Sequence, residues 1–245
     1  LVLLQAWVND QSVNLSVNSV SWSLSCEAFF YACFPFIAVA ALRVQRPRAA
    51  LAVAAFGTWC VAGIVELSPF APTTKLWLVY FFPPTRALEF VVGILACRLV
   101  LEGRAPRIRL TAAAAFATAA YLLAGNLPWR LDLAGYAAVT LIPFALVIVA
   151  ATQRDVAGAT PWLLRSNAAV TLGRWSFAFY LVHFTILTEL ADHLLSPTSS
   201  ITSVVLVILL ALGLSVAASG LLHELVERPV ERRLRHGRRR VPEVA

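Results

Sequence analysis

The sequence predicts an all-α, polytopic transmembrane helix bundle, and three observations carry that prediction. Of its 245 residues, 60% are hydrophobic and only 13% charged, which is more apolar surface than a soluble domain of this length can hide. Several stretches approach or exceed the ~20 apolar residues that carry a helix across a bilayer. The basic residues fall mostly between and after those stretches, where they set membrane orientation.

About seven spans follow in order. The first is drawn at 21–42 and the second at 49–66. The third, 86–101, is preceded by the aromatic run LWLVYFFPP, expected either to lie at the interface or to re-enter. The fourth covers 110–125, and the fifth 133–151, where Pro143 predicts a kink. The sixth covers 175–194 and the seventh 201–222, with a basic tail at 236–245. No repeat or low-complexity linker divides the chain. With these spans, all but three (Lys75, Arg86 and Arg130) of the 20 Lys and Arg residues fall on one side. The positive-inside rule then places the N-terminus outside and the C-terminus in the cytoplasm. One span more or fewer would scramble that asymmetry.

Composition also narrows the function classes. Twenty Lys and Arg against 13 Asp and Glu could suggest nucleic acid, but no nucleic-acid partner is expected. The tail ERPVERRLRHGRRR is better matched to anionic lipid headgroups. Cys26, Cys33, Cys60 and Cys97 all lie in apolar spans without a Cys-x-x-Cys pair, so neither a metal nor a disulfide framework is expected. HELVE lacks the second histidine of a zinc-protease helix, and no Gly-x-Ser-x-Gly elbow or phosphate loop occurs. The absence of methionine points to the back part of a longer protein.

Polar residues inside the spans mark the candidate site. A carboxylate in hydrocarbon is costly, and such residues face a bundle interior or a water-filled cavity. Ser23, Glu27 and Tyr31 repeat at i, i+4 on the first helix and share one face. Arg86, Glu89, Gly93 and Cys97 form a stripe on the third. Gly173, Ser176, Tyr180 and His183 form one on the sixth. The acids Asp10, Glu27, Glu66, Glu89, Asp132, Glu189 and Asp192 fall in the outer half, which predicts a polar cavity opening outward, with the stripes facing one another. Glu27 and Arg86 could equally be an ion pair that fixes packing. Glu89 is expected to pair with Arg86 within its own helix. His183 is either a satisfied bundle histidine or a proton shuttle, and Trp22 and Tyr80 could be interfacial aromatics.

Four stretches carry a resemblance. NSVSWSLSCEAFFY, from Asn18 to Tyr31 with Pro35 beyond, resembles the N…WSL..E..FY…P signature of the acyltransferase 3 family of bacterial membrane acyltransferases. PTRALEFVVGILAC (Pro84 to Cys97) is similar to its R..EF..G helix, and LGRWSFAFYLVH (Leu172 to His183) to its LG..S…YL.H helix. HELVERPVERRLR (His223 to Arg235) is similar to its E.P…..R ending. The order is the family's order, over nearly the whole chain.

The resemblance implies about ten helices, of which this chain matches the last seven. The family's proposed catalytic histidine and an arginine motif lie in helices before that match. It also implies a bacterial inner-membrane enzyme that O-acylates an envelope polysaccharide or other carbohydrate. Cytoplasmic acyl-CoA, with acetyl-CoA as the expected form, is the donor, and no bound cofactor is needed. Glu27 and His183 are then the catalytic candidates in this chain. Trp22, Ser23, Tyr31, Arg86, Glu89, Ser176 and Tyr180 are cavity-lining or substrate-binding candidates. A proton-coupled transporter is the alternative, since intramembrane acids with a histidine also suit proton transport, and a noncatalytic remnant is the third reading.

Overall fold

The apolar stretches close into helices where turn and cap residues allow it. The computed structural model describes residues 3–16, 18–127, 138–159 and 164–238. Its main helices are α1 (Trp22–Arg43), α2 (Pro47–Leu67), α3 (Pro83–Leu101), α4 (Leu110–Ala124), α5 (Leu141–Val156), α6 (Asn167–Leu194), α7 (Ile201–Leu222) and α8 (Arg228–Arg238). Among the described residues all regular structure is helical.

Helix starts follow local chemistry. Pro47 and Pro83 occupy the first turn of α2 and α3, where a missing N–H costs nothing and the fixed φ is already helical. Ser166 and Ser200 cap α6 and α7, their hydroxyls accepting from the amides of Ala169 and Ser203 at 3.2 Å. The cap on Ser166 starts α6 two turns before the expected 175, with Gly173 and Arg174 absorbed inside it. Pro143 lies in the first turn of α5, which begins at Leu141 directly after the π-helical residues 138–139. Residues 133–137 of that expected span lie outside the described residues, as do Arg130, Asp132 and 239–245 of the tail. A short helix, Pro72–Leu76, leads into the aromatic run, whose Trp77–Phe81 form a π-helical turn. A second π-helical turn, His223–Glu227, joins α7 to α8.

Among the described residues four helical segments are long and apolar enough to cross a membrane: Trp22–Arg43, Pro47–Leu67, Asn167–Leu194 and Ile201–Arg233. Leu110–Ala124 is apolar but shorter. The other two expected spans differ for stated reasons. α3 carries Arg86, Glu89 and Arg98, and the 16 residues of α5 rise about 24 Å against a core of ~30 Å.

The chain divides into two compact units, Leu1–Val17 with Ser21–Thr160, and Asn18–Val20 with Pro161–Ala245. In the first unit α3 is central, packing against α1, α2 and α5, while α4 packs on α5. Its core uses small and branched side chains: Ala54, Ala55 and Val92 in one cluster, and Ala96, Leu99, Ala105 and Val149 in another. Arg98 ties α3 to the end of α1, donating to the carbonyls of Ala41 and of Val44 (2.8 Å). Those carbonyls have no partner within a terminating helix, and a cation there also meets the negative end of the dipole. In the second unit α6 and α7 pack along Val207, Ala211, Ser215 and Ser219, all buried at four-residue spacing. This is the small-residue seam by which helices approach closely in lipid.

Candidate functional site

α1 and α3 meet through aromatic rings. Phe30 stacks on Phe90 with centroids 5.0 Å apart, and Phe34 meets the same ring edge-on at 6.2 Å. Ser23, Glu27 and Tyr31 lie one residue off that seam, and burial falls along the stripe: Ser23 and Glu27 are half-buried, while Tyr31 is 70% exposed. Cys26, buried, approaches the carbonyl of Phe81 at 3.4 Å and lies within electrostatic reach of Glu27, Arg86 and Glu89.

Arg86 pairs with Glu89 on the next turn, Nη1 to Oε1, at 2.5 Å. The guanidinium also lies 5.8 Å from the centroid of Tyr80, within cation–π range, and Trp22 leans on Tyr80 at 4.8 Å. Trp22, Tyr80, Arg86 and Glu89 thus form one neighbourhood. The expected Arg86–Glu89 pair is present, whereas no Glu27–Arg86 ion pair forms among the described residues, because Arg86 is already engaged on its own helix. Glu27 has no ion pair or hydrogen bond to another side chain among the described residues. The whole α3 stripe, Arg86, Glu89, Gly93 and Cys97, lines a cleft of about 470 Å³ whose other wall is Thr140, Phe144 and Ile148. Its charged end is the ion pair, and the rest is mostly apolar, with the hydroxyl-bearing Thr140 and Thr152 among its lining.

The second unit holds the α6 stripe. His183 stacks on Phe179, centroids 5.3 Å apart and rings 5° from parallel. Its Nδ1 lies 3.0 Å from the carbonyl of Phe179 and 2.8 Å from that of Tyr180. A carbonyl only accepts, so Nδ1 carries the proton and Nε2 presents a lone pair. Tyr180 donates its hydroxyl to the carbonyl of Val20 at 2.8 Å, and Asn18 donates to the carbonyl of Leu181 at 2.7 Å. These bonds fasten Asn18–Val20 onto α6. Ser176 is exposed and donates to the carbonyl of Gly173 at 2.8 Å.

Two residues without an assigned role thus matter to the geometry. Asn18 opens the first signature, and its purpose emerges only when its partner on α6 is known. Tyr80 looked like an interfacial aromatic, and the π-helical turn at Trp77–Phe81 aims it at Arg86. Such turns recur at functional sites, and the dense aromatic run was the available signal.

A helical, membrane-type bundle with intramembrane acids, an arginine and an oriented histidine defines the class of protein. The acyltransferase domain family model matches residues 2–220, and the chain belongs to the acyltransferase 3 family. Acyltransferase MdmB of Streptomyces mycarofaciens is 35% identical to it over 269 aligned residues, covering 98% of this chain and 64% of that protein. The chain therefore spans about two thirds of that relative's length. No solved structure matches.

Proposed function

We propose that this chain forms part of a multi-pass inner-membrane enzyme, N-terminus outside and C-terminus cytoplasmic, that moves an acyl group from acyl-CoA to a carbohydrate hydroxyl. Acetyl is the proposed group and an envelope polysaccharide the proposed acceptor. Family membership supports acyl transfer as the reaction class, and the orientation of His183 is the observation that carries the assignment to residues. With Nδ1 held by two backbone carbonyls, Nε2 is the nitrogen left to take a proton, and a histidine is the usual base near neutral pH.

The reaction then balances simply. The acceptor hydroxyl oxygen bonds to the thioester carbonyl carbon as its proton passes to Nε2 of His183. The tetrahedral intermediate collapses, the carbon–sulfur bond breaks, and the proton leaves with the CoA thiol. Glu27, a carboxylate without a side-chain partner among the described residues, orients the acceptor through its hydroxyls. In the first unit Trp22 offers an aromatic face for a sugar ring, beside Ser23, Tyr31 and the Arg86–Glu89 pair; in the second, Tyr180 and Ser176 accompany His183 on their own helix.

The test is label transfer in proteoliposomes holding the whole natural protein, from radiolabelled acetyl-CoA to a panel of carbohydrates. A labelled ester should form, and Glu27→Gln and His183→Gln should each lower its rate by about 10²- to 10⁴-fold, the range of a general acid–base group. Proton-driven uptake of a solute with no acylated product would replace this reading with a transporter.

A further inference from the structure

The first unit holds a second cavity, which shares Val92, Ala96, Ala145 and Val149 with the cleft beside Arg86 and Glu89 but has its own arginine-lined mouth. It measures about 330 Å³ and lies among α2, α3 and α5, with Leu51, Ala96, Ile142 and Leu146 in its walls and Arg48 and Arg104 at its edge. Apart from the two arginines, every residue that lines it is apolar. Its volume falls at the small end of ligand cavities, about 300–1,000 Å³.

The edge is built. Arg48 donates from Nε and Nη2 to the carbonyl of Arg104, at 3.3 and 2.7 Å, which fixes both residues at one place. Arg104 reaches Glu102 at 3.0 Å, and Glu102 is shared with Arg98 at 2.6 Å. Arg48 has no acidic partner among the described residues. It also stands in the first turn of α2, at the positive end of the helix dipole, where a cation is disfavoured and an anion favoured. Positive charge is therefore concentrated at the mouth of a cavity whose interior has no polar group to offer. A soluble anion would leave that interior empty, and a neutral lipid would leave the charge unanswered. Basic pockets between membrane helices take anionic headgroups.

We propose that this cavity binds one anionic phospholipid, its phosphate held by Arg48 and Arg104 and part of an acyl chain lying between α2, α3 and α5. The proposal does not rest on the acyl-transfer reading. The lipid bridges the start of α2 to the end of α3, so occupancy stabilises the fold.

The experiment uses the full natural chain, delipidated in neutral detergent and titrated with phosphatidylglycerol or phosphatidylcholine of equal chain length. Native mass spectrometry and thermal unfolding provide the readouts. Phosphatidylglycerol should bind at least about tenfold more tightly and raise the unfolding temperature. The preference should vanish in Arg48→Gln/Arg104→Gln and persist in Arg107→Gln/Arg109→Gln, which removes equal charge outside the cavity. Leu146→Trp, which fills the cavity, should lower phosphatidylglycerol binding with both arginines intact. Equal binding of the two lipids by the unaltered protein overturns the proposal, as does equal loss in the two arginine pairs. Displacement of the lipid by glycerol phosphate alone, or by equimolar acyl-CoA, overturns it too, assigning the arginines to a soluble anion or to the donor.

Discussion

At the scale of single residues, the candidate site consists of groups whose partners are unequal. Arg86 and Glu89 satisfy one another, His183 is satisfied on one nitrogen only, and Glu27 has no side-chain partner among the described residues. In the proposed reaction that inequality is what assigns Arg86 and Glu89 as supports and Glu27 and His183 as reacting groups, since unsatisfied polar groups in apolar surroundings are costly. Asn18 and Tyr180 belong with the supports. Each makes a hydrogen bond between Asn18–Val20 and α6, and one such bond contributes about 0.5–1.5 kcal/mol. Tyr180→Phe and Asn18→Ala should therefore each lower stability by about 1 kcal/mol. Because both hold the same short segment, a double-mutant cycle should give a coupling of about 0.5 kcal/mol or more. Chemical unfolding in detergent of the two single variants and the double variant measures this, and strict additivity would mean that the segment is held elsewhere.

At the scale of elements, two junctions decide how the helices meet. Arg98, whose side chain is only 16% exposed, bonds the last carbonyls of α1 from the far end of α3. Arg98→Ala leaves those carbonyls unpaired and should cost about 1.5–3 kcal/mol, as for hydrogen bonds to a charged group, with Arg98→Lys recovering part of it. The second junction is Gly220 on α7. A Cβ there would come within 2.9 Å of the Trp175 ring on α6, so Gly220→Ala forces the indole to move. Overpacking of this kind costs about 1–3 kcal/mol, and a smaller side chain at Trp175 should relieve it. Unfolding of Gly220→Ala with and without Trp175→Leu tests the pairing. Glu102 adds a pH signature to the first junction. Hydrogen bonds from Arg98, and to a lesser degree from Arg104, hold its carboxyl below the usual 4.5. The unfolded chain then binds the proton more readily, so stability rises with pH through this window. The contribution is present above about pH 4.5 and fades as the pH falls towards the lower folded value. The stability gap between the natural chain and Glu102→Gln should narrow on acidification from pH 6 to pH 3.

At the scale of the whole molecule, charge asymmetry sets the expected topology. Reporter fusions placed after Ser68 and after Arg233 should report opposite sides of the membrane, with Arg233 in the cytoplasm. A cytoplasmic Ser68 would sink both the orientation and the outward-facing cavity. The sequence made the helical class and the approximate helix positions plain, because membrane helices need long apolar runs and a lone carboxylate within one is conspicuous, while the family was legible only through the resemblance of its four motifs. The Arg86–Glu89 pair was legible for the same reason: three residues apart on a helix, the two side chains must meet. Helix edges were less legible. Pro143 lies deep in the helix when it is drawn from 133, and in the first turn of the helix that begins at Leu141. The division at Thr160 leaves no mark in composition, since both units use the same apolar vocabulary.

The sequence by itself determined an all-helical membrane-type protein of the acyltransferase 3 family, with Glu27, Arg86, Glu89 and His183 as its intramembrane polar groups. The helical class and the polar groups rest on periodicity, hydrophobic length and short-range spacing, and the family on the resemblance of four short motifs; all are properties of local stretches. Only the tertiary structure decided which partners these groups take: Arg86 with Glu89 and Tyr80, Arg98 with the end of α1, Asn18 and Tyr180 with each other's segments, and Glu27 with no side chain among the described residues. It alone assembled Arg48 and Arg104, 56 residues apart, at the mouth of an apolar cavity. Contacts at such separations follow from how helices pack, and packing depends on the shapes of many side chains at once rather than on any one stretch of chain.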